Sequence, residues 1–441
     1  MPLAHGATVL AITGPFGSGC STVAAILSDR LGYKSLRLSD LIREEGRRRP
    51  HRSKLQRQNL QALGNEIRRE RNDPGALARI AIQRLDSLGE TNDKVVLDGI
   101  RNVGEIEVLR ELFGHSCYTI ALECPANQRF DRLQPIYGND ARALDRFRTD
   151  NENDRDQENP FGQQVALCVD LADVLVINDN AVTQTELRRK LLDFVSVITG
   201  ESPRYPTPTE ILMNFAYSAS HASKCLKRQV GAVIVSAEPG KIGEVTGQGF
   251  NENPQPTAPC VEEPRYGADP SRRVPGRCYR DIVRTESLAG LARERRGCPS
   301  CGARMRQPAD EPPWNCHSCG VNLEGFFWPE RAMTLCTAVH AEVAAIMTAG
   351  RSARGGTLYT TTFPCFQCAE KITQAGIRWI VFTEPYPDVR AADRLEIAGI
   401  KTLRFEGVRS RRFDEIFSRA RPYVAAQRRA SATLRAKITP K

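Results

Sequence analysis

The feature that most constrains this chain is one histidine followed, further along, by two closely spaced cysteines. His-Ala-Glu stands at 340–342 and Pro-Cys-Phe-Gln-Cys at 364–368. The pattern predicts that His340 begins one helix and that Cys365 and Cys368 begin the next, with both sulfurs on one side. One imidazole and two thiolates are ligands that zinc takes in catalytic sites, which keep a fourth position open. The spacing therefore predicts a helix–strand–helix unit built around a catalytic zinc ion.

Glu342 follows the predicted histidine ligand by two residues and is not needed as a ligand itself. From the first turn of a helix its carboxylate can reach the open metal position and carry a proton from water to a leaving amine. This arrangement is the pattern of zinc-dependent deaminases. The alternative is a structural zinc site, or a core histidine beside two unrelated cysteines. The His-x-Glu spacing, the proline and the order of the elements favour the catalytic site.

The surrounding segments resemble the deoxycytidylate deaminase family. They lie at 222–235, 247–254, 340–346, 355–377 and 383–388, all in the C-terminal half of the chain. The resemblance implies hydrolytic deamination at C4 of cytosine, which releases ammonia and leaves a uracil nucleotide. It also implies that Asn251 orients the nucleotide sugar, that Arg228 is a candidate phosphate contact and that Tyr386 lines the pocket. For Arg228 and Tyr386 an ordinary surface position remains an equal alternative.

A second cysteine cluster lies inside a long interruption, 252–335, which is rich in Pro, Gly, Arg and Cys. A segment of this length is too long for a bare loop in a compact domain. Two Cys-x-x-Cys-Gly knuckles predict a zinc ribbon over 298–319, in which thiolates order the insert in place of a hydrophobic core. The predicted ligands of this structural zinc are Cys298, Cys301, Cys316 and Cys319. The ribbon is either a local staple or an interaction module.

Three further cysteines of this half remain. Some deoxycytidylate deaminases carry an extra structural zinc, and by that resemblance Cys225 and Cys260 are candidate ligands. Buried thiols are the default interpretation for both, and for Cys336.

The N-terminal half opens with a strand at 9–13 that runs into a glycine-rich segment and a helix, which is the context of a phosphate-binding loop. Backbone N–H groups and the helix N-terminus would surround a phosphate there. The predicted nucleotide-binding residues of the loop are Gly14, Gly17, Ser18, Gly19, Cys20, Ser21 and Thr22. Cys20 stands where such loops carry the lysine that stabilises phosphoryl transfer. We therefore expect a nucleotide-binding regulator in preference to a working kinase.

Other segments of this half, at 39–45, 60–70 and 95–110, resemble small nucleotide kinases of the dephospho-coenzyme A kinase and adenylate kinase-like group. By this resemblance Asp98 is the acid on the metal or substrate side, and Arg43 and Arg101 face an acceptor phosphate. The resemblance also allows Mg²⁺ to accompany a nucleoside triphosphate. The arginines of this half are alternatively solvated surface charges.

The alternation of strands and helices predicts an α/β chain in several parts. A P-loop kinase-like domain with a parallel sheet occupies 1–200, and the proline-rich segment 201–208 is a linker. A three-layer αβα cytidine deaminase-like domain with the zinc-ribbon insert follows at 209–408. Residues 409–441 form a basic C-terminal tail.

The charge of the chain is concentrated at this end. The net charge is +10, and residues 408–441 hold ten Lys and Arg against two Asp and Glu. The body is therefore nearly neutral, which argues against a nucleic-acid-binding core. The tail is a solvated helix face or a loose end, with RNA contact the minority alternative. Without a signal peptide or an apolar run of about 20 residues, the sequence predicts a cytoplasmic protein with no membrane partner.

The whole combination resembles the bacterial anti-phage dCTP/dCMP deaminases. The resemblance implies depletion of the deoxycytidine nucleotide pool, a nucleotide effector at the P-loop, a homo-oligomer and an inhibitory RNA. Three alternatives stay open. They are a housekeeping dCMP deaminase that supplies thymidylate synthesis, a nucleic-acid cytidine deaminase and a bifunctional kinase–deaminase.

Overall fold

The structure is a computed structural model. It describes residues 7–49, 57–87, 93–138, 140–155, 159–202, 204–238, 243–254, 338–385 and 389–419, with isolated positions at 240, 259–260, 278, 318–319 and 336. The chain divides into two compact units. Unit 1 takes in the described residues of 1–214 together with those from 404 onward, and unit 2 takes in those of 215–403.

Unit 1 is built on a six-stranded sheet in the order β11–β5–β4–β1–β3–β2. Its strands are β1 (Thr8–Thr13), β2 (Lys34–Arg37), β3 (Lys94–Ile100), β4 (Cys117–Glu123), β5 (Val174–Ile177) and β11 (Gly407–Val408). The first five pair in parallel with one another, and β11 pairs antiparallel with β5. This confirms the predicted parallel sheet and adds β2, a short strand that the sequence did not indicate.

Helices connect these strands. They are α1 (Cys20–Leu31), α2 (Leu38–Arg48), α3 (Arg57–Glu70), α4 (Ala76–Ser87), α5 (Val103–Phe113), α6 (Ala126–Tyr137), α7 (Ala143–Arg155), α8 (Val165–Asp170), α9 (Gln184–Ile198), α10 (Pro208–Ser220) and, near the end, α14 (Ser410–Arg419). The residues of β1 alternate between two cores because successive side chains of a strand point to opposite faces. Leu10 and Ile12 pack in one core with α1, α9 and α14, and Val9 and Ala11 pack in the other with α2 to α5.

The chain returns to unit 1 after unit 2. Val408, Ile416 and Phe417 are buried in the core of unit 1, whereas the sequence analysis placed residues from 409 onward in a tail. Phe413, Ile416 and Phe417 recur at helical spacing, so α14 is amphipathic and presents an apolar stripe to the core. Because many arginines lie between these residues, the net charge of the segment gives no sign of the apolar stripe. Residues 420–441 lie outside the described part of the chain.

Unit 2 is built on a five-stranded sheet in the order β10–β9–β8–β6–β7. Its strands are β6 (Gly231–Val235), β7 (Val245–Phe250), β8 (Thr357–Thr362), β9 (Trp379–Glu384) and β10 (Lys401–Arg404), and its helices are α11 (Ala341–Ala349), α12 (Phe366–Ala375) and α13 (Val389–Ile397). β6 is antiparallel to both neighbours, and β8 is parallel to β9. Among the described residues no helix is long and apolar enough to cross a membrane.

Most of the interruption, 252–335, lies outside the described residues. Cys298, Cys301 and Cys316 of the predicted zinc ribbon fall there, and Cys319 is exposed. The ribbon therefore stays a prediction. Within the described part of the chain, no group of three metal-binding side chains includes Cys225 or Cys260.

Candidate metal centre and nucleotide pocket

The predicted metal ligands of unit 2 meet at one point. The Nδ1 of His340 lies 3.2 Å from the sulfur of Cys368 and 3.4 Å from that of Cys365. All three ligand atoms lie within 4.8 Å of one another. Both cysteines are buried, and the histidine is half-buried. Residues that are 25 and 28 positions apart in the sequence thus form one cluster.

The ends of two helices place these side chains. His340 is the residue that caps the N-terminus of α11, and Cys365 caps the N-terminus of α12. α11 approaches β7 very closely, because a Cβ at Gly249 would overlap the carbonyl oxygen of Ala341. The glycine in the strand therefore fixes how deep the histidine end of α11 sits against the sheet.

The two sulfurs share a hydrogen bond. Hydrogen bonds from Cys368 and then from His340 lower the pKa of Cys365 to about 4, against the effect of burial. The pKa of Cys368 is raised by the hydrogen bond with Cys365 and by burial. The N-terminus of α12 adds positive potential at both sulfurs. Cys365 is accordingly a thiolate, the form in which sulfur binds a metal.

The cluster fits a zinc ion. Zinc lies about 2.1 Å from nitrogen and about 2.3 Å from sulfur, so tetrahedral ligands lie about 3.6 Å apart. The separations of 3.2 and 3.4 Å from His340 to the two sulfurs are close to this value. Three ligands leave the fourth position for a substrate or a water molecule.

Glu342 lies in the first turn of α11, beside the cluster. Its carboxylate oxygen Oε2 is 3.5 Å from the sulfur of Cys368, which donates to it. The side chain is buried, and burial raises the pKa of Glu342. A buried carboxyl group beside the three candidate ligands is the kind of group that proton transfer at an open metal position requires.

Asn251 reaches the same neighbourhood through a short β-bridge. Glu252 and Val339 exchange two backbone hydrogen bonds of 3.1 and 2.8 Å, which sets the segment after β7 beside His340. The amide oxygen of Asn251 accepts from Val230 N and Ser223 Oγ, and its nitrogen donates to the carbonyl of Arg228. Asn251 therefore shapes the loop before β6, and its predicted contact with a nucleotide sugar stays a prediction.

Arg228 is bound to an acid at the end of β9. Its guanidinium donates to Glu384 Oε2, with Nη2 at 2.5 Å and Nε at 3.2 Å. Glu384 also accepts from Thr362, three residues before Cys365. A phosphate at Arg228 would compete with Glu384. Tyr386, the third predicted substrate contact, lies outside the described residues.

The phosphate-binding loop of unit 1 joins β1 to α1. Gly19 is in the left-handed region with φ +104° and caps α1. Gly14 has φ +148°, and a Cβ there would overlap the carbonyl of Leu122. The amide of Asn178 holds the loop from behind, since its Nδ2 donates to Ser18 O at 2.7 Å. The loop geometry therefore requires the glycines that the motif supplies.

Cys20 occupies the lysine position of the loop and carries no positive charge. Its sulfur lies 3.5 Å from Ser18 Oγ, and burial raises the pKa of Cys20 to about 11. The thiol is therefore neutral at physiological pH. A cation for bound phosphates has to come from another side chain.

A cavity of about 750 Å³ opens in front of the loop. Of the predicted nucleotide-binding residues, it is lined by Gly17, Gly19, Cys20, Ser21, Thr22, Asp98 and Arg101. Gly14 and Ser18 are buried within the loop. The geometry thus gathers the predicted residues around one space large enough for a nucleotide.

Sequence reasoning missed several side chains of this cavity. Arg37, Arg68 and Arg132 line it. Asp154 of α7 pairs with Arg101, at 2.5 and 2.7 Å, and also accepts from the backbone N of Phe16 in the loop at 3.4 Å. The only local signal for these residues was the abundance of arginine, which does not say which arginines meet.

Two family descriptions match the chain. Residues 206–384 match the family described as cytidine and deoxycytidylate deaminase zinc-binding region, and residues 10–159 match the family described as AAA domain.

Curated relatives match parts of the chain. A UPF0200/UPF0201 protein of Archaeoglobus fulgidus is 31% identical over 205 residues, which are 46% of this chain and 60% of the relative. A deoxycytidylate deaminase of Schizosaccharomyces pombe is 26% identical over 238 residues, which are 53% of this chain and 54% of the relative. The matches thus span little more than half of either relative.

Among solved structures, a dCMP deaminase from the cyanophage S-TIM5, in complex with dCMP and dUMP, is similar. It has a TM-score of 0.26 and 17% sequence identity, and the match covers 46% of this chain and 99% of that protein.

The chain combines two classes of domain. An AAA or P-loop kinase-like domain with a parallel sheet is followed by a cytidine deaminase-like α/β domain, so the predicted fold class is confirmed. The second matches the description of a cytidine and deoxycytidylate deaminase zinc-binding region, and His340, Cys365 and Cys368 are the candidate metal ligands that the geometry brings together.

Proposed function

We propose that the chain deaminates deoxycytidine nucleotides, dCMP and dCTP, to the corresponding deoxyuridine nucleotides. The observation that carries this proposal is the cluster of His340, Cys365 and Cys368 with the buried carboxyl group of Glu342 beside it. The deaminase-type match over 206–384 supports the choice of a cytosine nucleotide as substrate.

In the reaction the oxygen of water forms a bond to C4 of cytosine, and the bond from C4 to the amino nitrogen breaks. A zinc ion bound by the cluster would supply Lewis-acid activation of the attacking water. Glu342 accepts a proton from that water, transfers protons to N3 and to the leaving amine, and ammonia departs. The burial of Glu342 keeps bulk water away from these transfers.

Unit 1 is the proposed regulatory part. Its cavity is large enough for a nucleotide, and the neutral Cys20 favours binding over phosphoryl transfer. A nucleoside triphosphate bound there, with or without Mg²⁺, would gate deamination in unit 2. We place this activity in the cytoplasm, in depletion of the dCTP pool during anti-phage defence, with a homo-oligomer and an inhibitory RNA as further proposals. Housekeeping supply of dUMP for thymidylate synthesis is the alternative role.

The test is ammonia release from the zinc-loaded full chain with dCMP, dCTP, CMP, CTP or single-stranded DNA, each with and without other nucleoside triphosphates. Products are identified by chromatography. We expect dUMP from dCMP and dUTP from dCTP, loss of activity after zinc is removed, and recovery when zinc is restored. Turnover of dCMP alone supports the housekeeping role. Turnover of single-stranded DNA alone, or activity that survives complete zinc removal, contradicts the proposal.

A further inference from the structure

Three neighbouring strands of unit 1 end at the same edge of the sheet, and each end carries a different part of the phosphate site. β1 runs into the phosphate-binding loop, β3 carries Asp98 and β2 ends at Arg37. Arg37 and Asp98 are partners in the parallel register of β2 and β3. The register therefore sets an arginine directly beside the acid of the loop.

Asp98 is already occupied by two donors. Its Oδ2 accepts from Ser21 Oγ at 2.7 Å and from Arg37 Nε at 3.0 Å. The carboxylate is buried, with 4% of its side chain exposed. In working P-loop enzymes the equivalent hydroxyl and acid hold Mg²⁺ against the phosphates. Here a guanidinium holds a permanent positive charge at that acid.

Two of the other arginines around the cavity are held by buried acids. Arg68 is bound to the buried Glu105, with Nη2 at 2.6 Å, and Arg101 is bound to the buried Asp154. Arg37 uses Nε for Asp98, and its two terminal nitrogens make no hydrogen bond to the part of the chain that the structure describes. Its side chain is 46% exposed and lines the cavity. These two nitrogens can donate to phosphate oxygens in the fork geometry that arginine offers.

We propose that Arg37 supplies the positive charge that a divalent cation and a loop lysine supply in other phosphate loops, so that unit 1 binds a nucleoside polyphosphate without Mg²⁺. The ligand class is a nucleoside polyphosphate whose oligophosphate chain carries no bound divalent cation. The inference deepens the proposed regulatory role of unit 1 and rests on it, but it does not depend on deamination in unit 2.

The experiment titrates the full zinc-loaded chain with inorganic tripolyphosphate in a calorimeter. One buffer contains excess Mg²⁺ and the other is freed of Mg²⁺ by a chelating resin, with zinc content measured before and after. We expect wild-type dissociation constants that agree within about threefold, because Arg37 makes the cation unnecessary. In the Mg²⁺-free buffer, Arg37→Ala weakens binding by about tenfold or more, and Arg37→Lys, which keeps the charge but not the fork, weakens it less.

Arg84→Ala, on the exposed face of α4 outside the cavity, is the matched control and binds like the wild type. Three results overturn the proposal. They are wild-type binding only with Mg²⁺, unchanged binding by Arg37→Ala, or no binding of tripolyphosphate in either buffer. If Arg37→Ala does not fold, the proposal is still tested by wild-type binding with and without Mg²⁺ and by the binding of Arg37→Lys. None of these measurements uses ammonia release. A failed deaminase assay therefore does not change the outcome of this binding test.

Discussion

His340 and Cys365 each immediately precede the first turn of a helix, and the chemistry of unit 2 depends on these two positions. At a helix start the backbone N–H groups face the metal ligands, which favours negatively charged sulfur. Glu342 lies beside these ligands, with its carboxylate 3.5 Å from the sulfur of Cys368. Metal binding and proton transfer are therefore assigned to different side chains, and Glu342 carries only the second.

Glu342→Gln keeps the size of the side chain but removes proton transfer. We expect the rate of ammonia release to fall by about 10²–10⁴-fold, the usual contribution of a general acid–base group, while zinc content stays unchanged. Zinc by elemental analysis and turnover of dCMP check both parts. Glu396→Gln, on the exposed surface of α13, is the control with the same change of charge. Wild-type turnover by Glu342→Gln would show that another group carries the protons.

Glu210 links the two parts of the chain that form unit 1, because it binds residues on both sides of the interruption. Arg204 donates to both of its carboxylate oxygens, at 2.8 and 3.0 Å, and Val408 N donates at 2.9 Å. Burial alone would raise the pKa of Glu210, but the hydrogen bonds from Arg204, Val408 and Thr207 outweigh it and hold the pKa below its ordinary value of 4.5. The charged form therefore stabilises the fold.

This lowered pKa gives a pH-dependent prediction. The stabilisation is present above the unfolded-state pKa and is lost as the pH falls through the lower folded-state value. Glu210→Gln should lower the free energy of unfolding of unit 1 by about 2 kcal/mol at neutral pH. The difference from wild type should narrow in acid. Hydrogen exchange of β1 and β4 in urea measures it, with Glu107→Gln as the exposed control. A difference that does not change with pH would contradict the assignment.

At the scale of elements, α14 shows how one helix completes a distant sheet. The ring of Phe417 packs against the ring of Phe413 with 4.8 Å between their centroids. The guanidinium of Arg204 lies 5.5 Å from the centroid of the Phe417 ring. Arg409, at the start of this segment, is buried and donates to the carbonyl of Val169. The basic residues of this helix are therefore partly structural.

Phe417→Ala leaves a cavity in this core. We expect it to destabilise unit 1 by about 3–5 kcal/mol, the usual cost of such a truncation. Ser418→Ala, the exposed neighbour, should have little effect. All three tryptophans, Trp314, Trp328 and Trp379, lie within 215–403, so tryptophan fluorescence follows unit 2 and hydrogen exchange follows unit 1. Equal stability of the two variants would mean that α14 is not part of the core.

The predicted zinc ribbon is tested by counting metal. Cys298→Ser removes one of four thiolate ligands, and we expect the zinc content to fall by about one ion per chain. His340→Ala should remove a different zinc ion and abolish turnover. Unchanged zinc in Cys298→Ser would exclude the ribbon.

At the scale of the whole molecule, the segment at 404–406, where the chain returns to unit 1, contacts the strands that support the phosphate-binding loop. Arg404 Nη2 donates to Glu123 at 3.0 Å, and Glu406 accepts from Ile177 N at 2.9 Å. The next residue, Asn178, holds the loop at Ser18 and donates from its backbone N to the carbonyl of Glu123. A change at the loop therefore has a short covalent and hydrogen-bonded route to the segment that enters unit 1 from unit 2.

Arg404→Ala removes one contact of this route without touching the metal cluster. If a nucleotide at unit 1 gates deamination as proposed, we expect the variant to keep its basal turnover and to lose most of the nucleotide effect. Turnover of dCMP is measured across a titration of the effective nucleoside triphosphate, with Arg84→Ala as the control. A full nucleotide effect in Arg404→Ala would show that the signal does not pass through this segment.

The sequence by itself determined what is local. The candidate metal ligands and the acid beside them follow from one His, two Cys and one Glu at fixed spacings, because helix ends place such neighbours predictably. The parallel sheet of unit 1 follows from its apolar strands, and the phosphate-binding loop follows from its glycines. Both are patterns of residues that are close in the sequence. These parts of the fold and the site could be read before the structure, and the structure gathers them at the expected places.

Only the tertiary structure decided which distant residues meet. Arg37 and Asp98 are 61 residues apart, Arg101 and Asp154 are 53 apart, and Ile177 and Glu406 are 229 apart. An arginine can pair with any acid that the fold brings near, so its local sequence does not encode the partner. The return of α14 is hidden for the same reason, since a few apolar residues among many arginines bury only against a sheet formed far earlier in the chain.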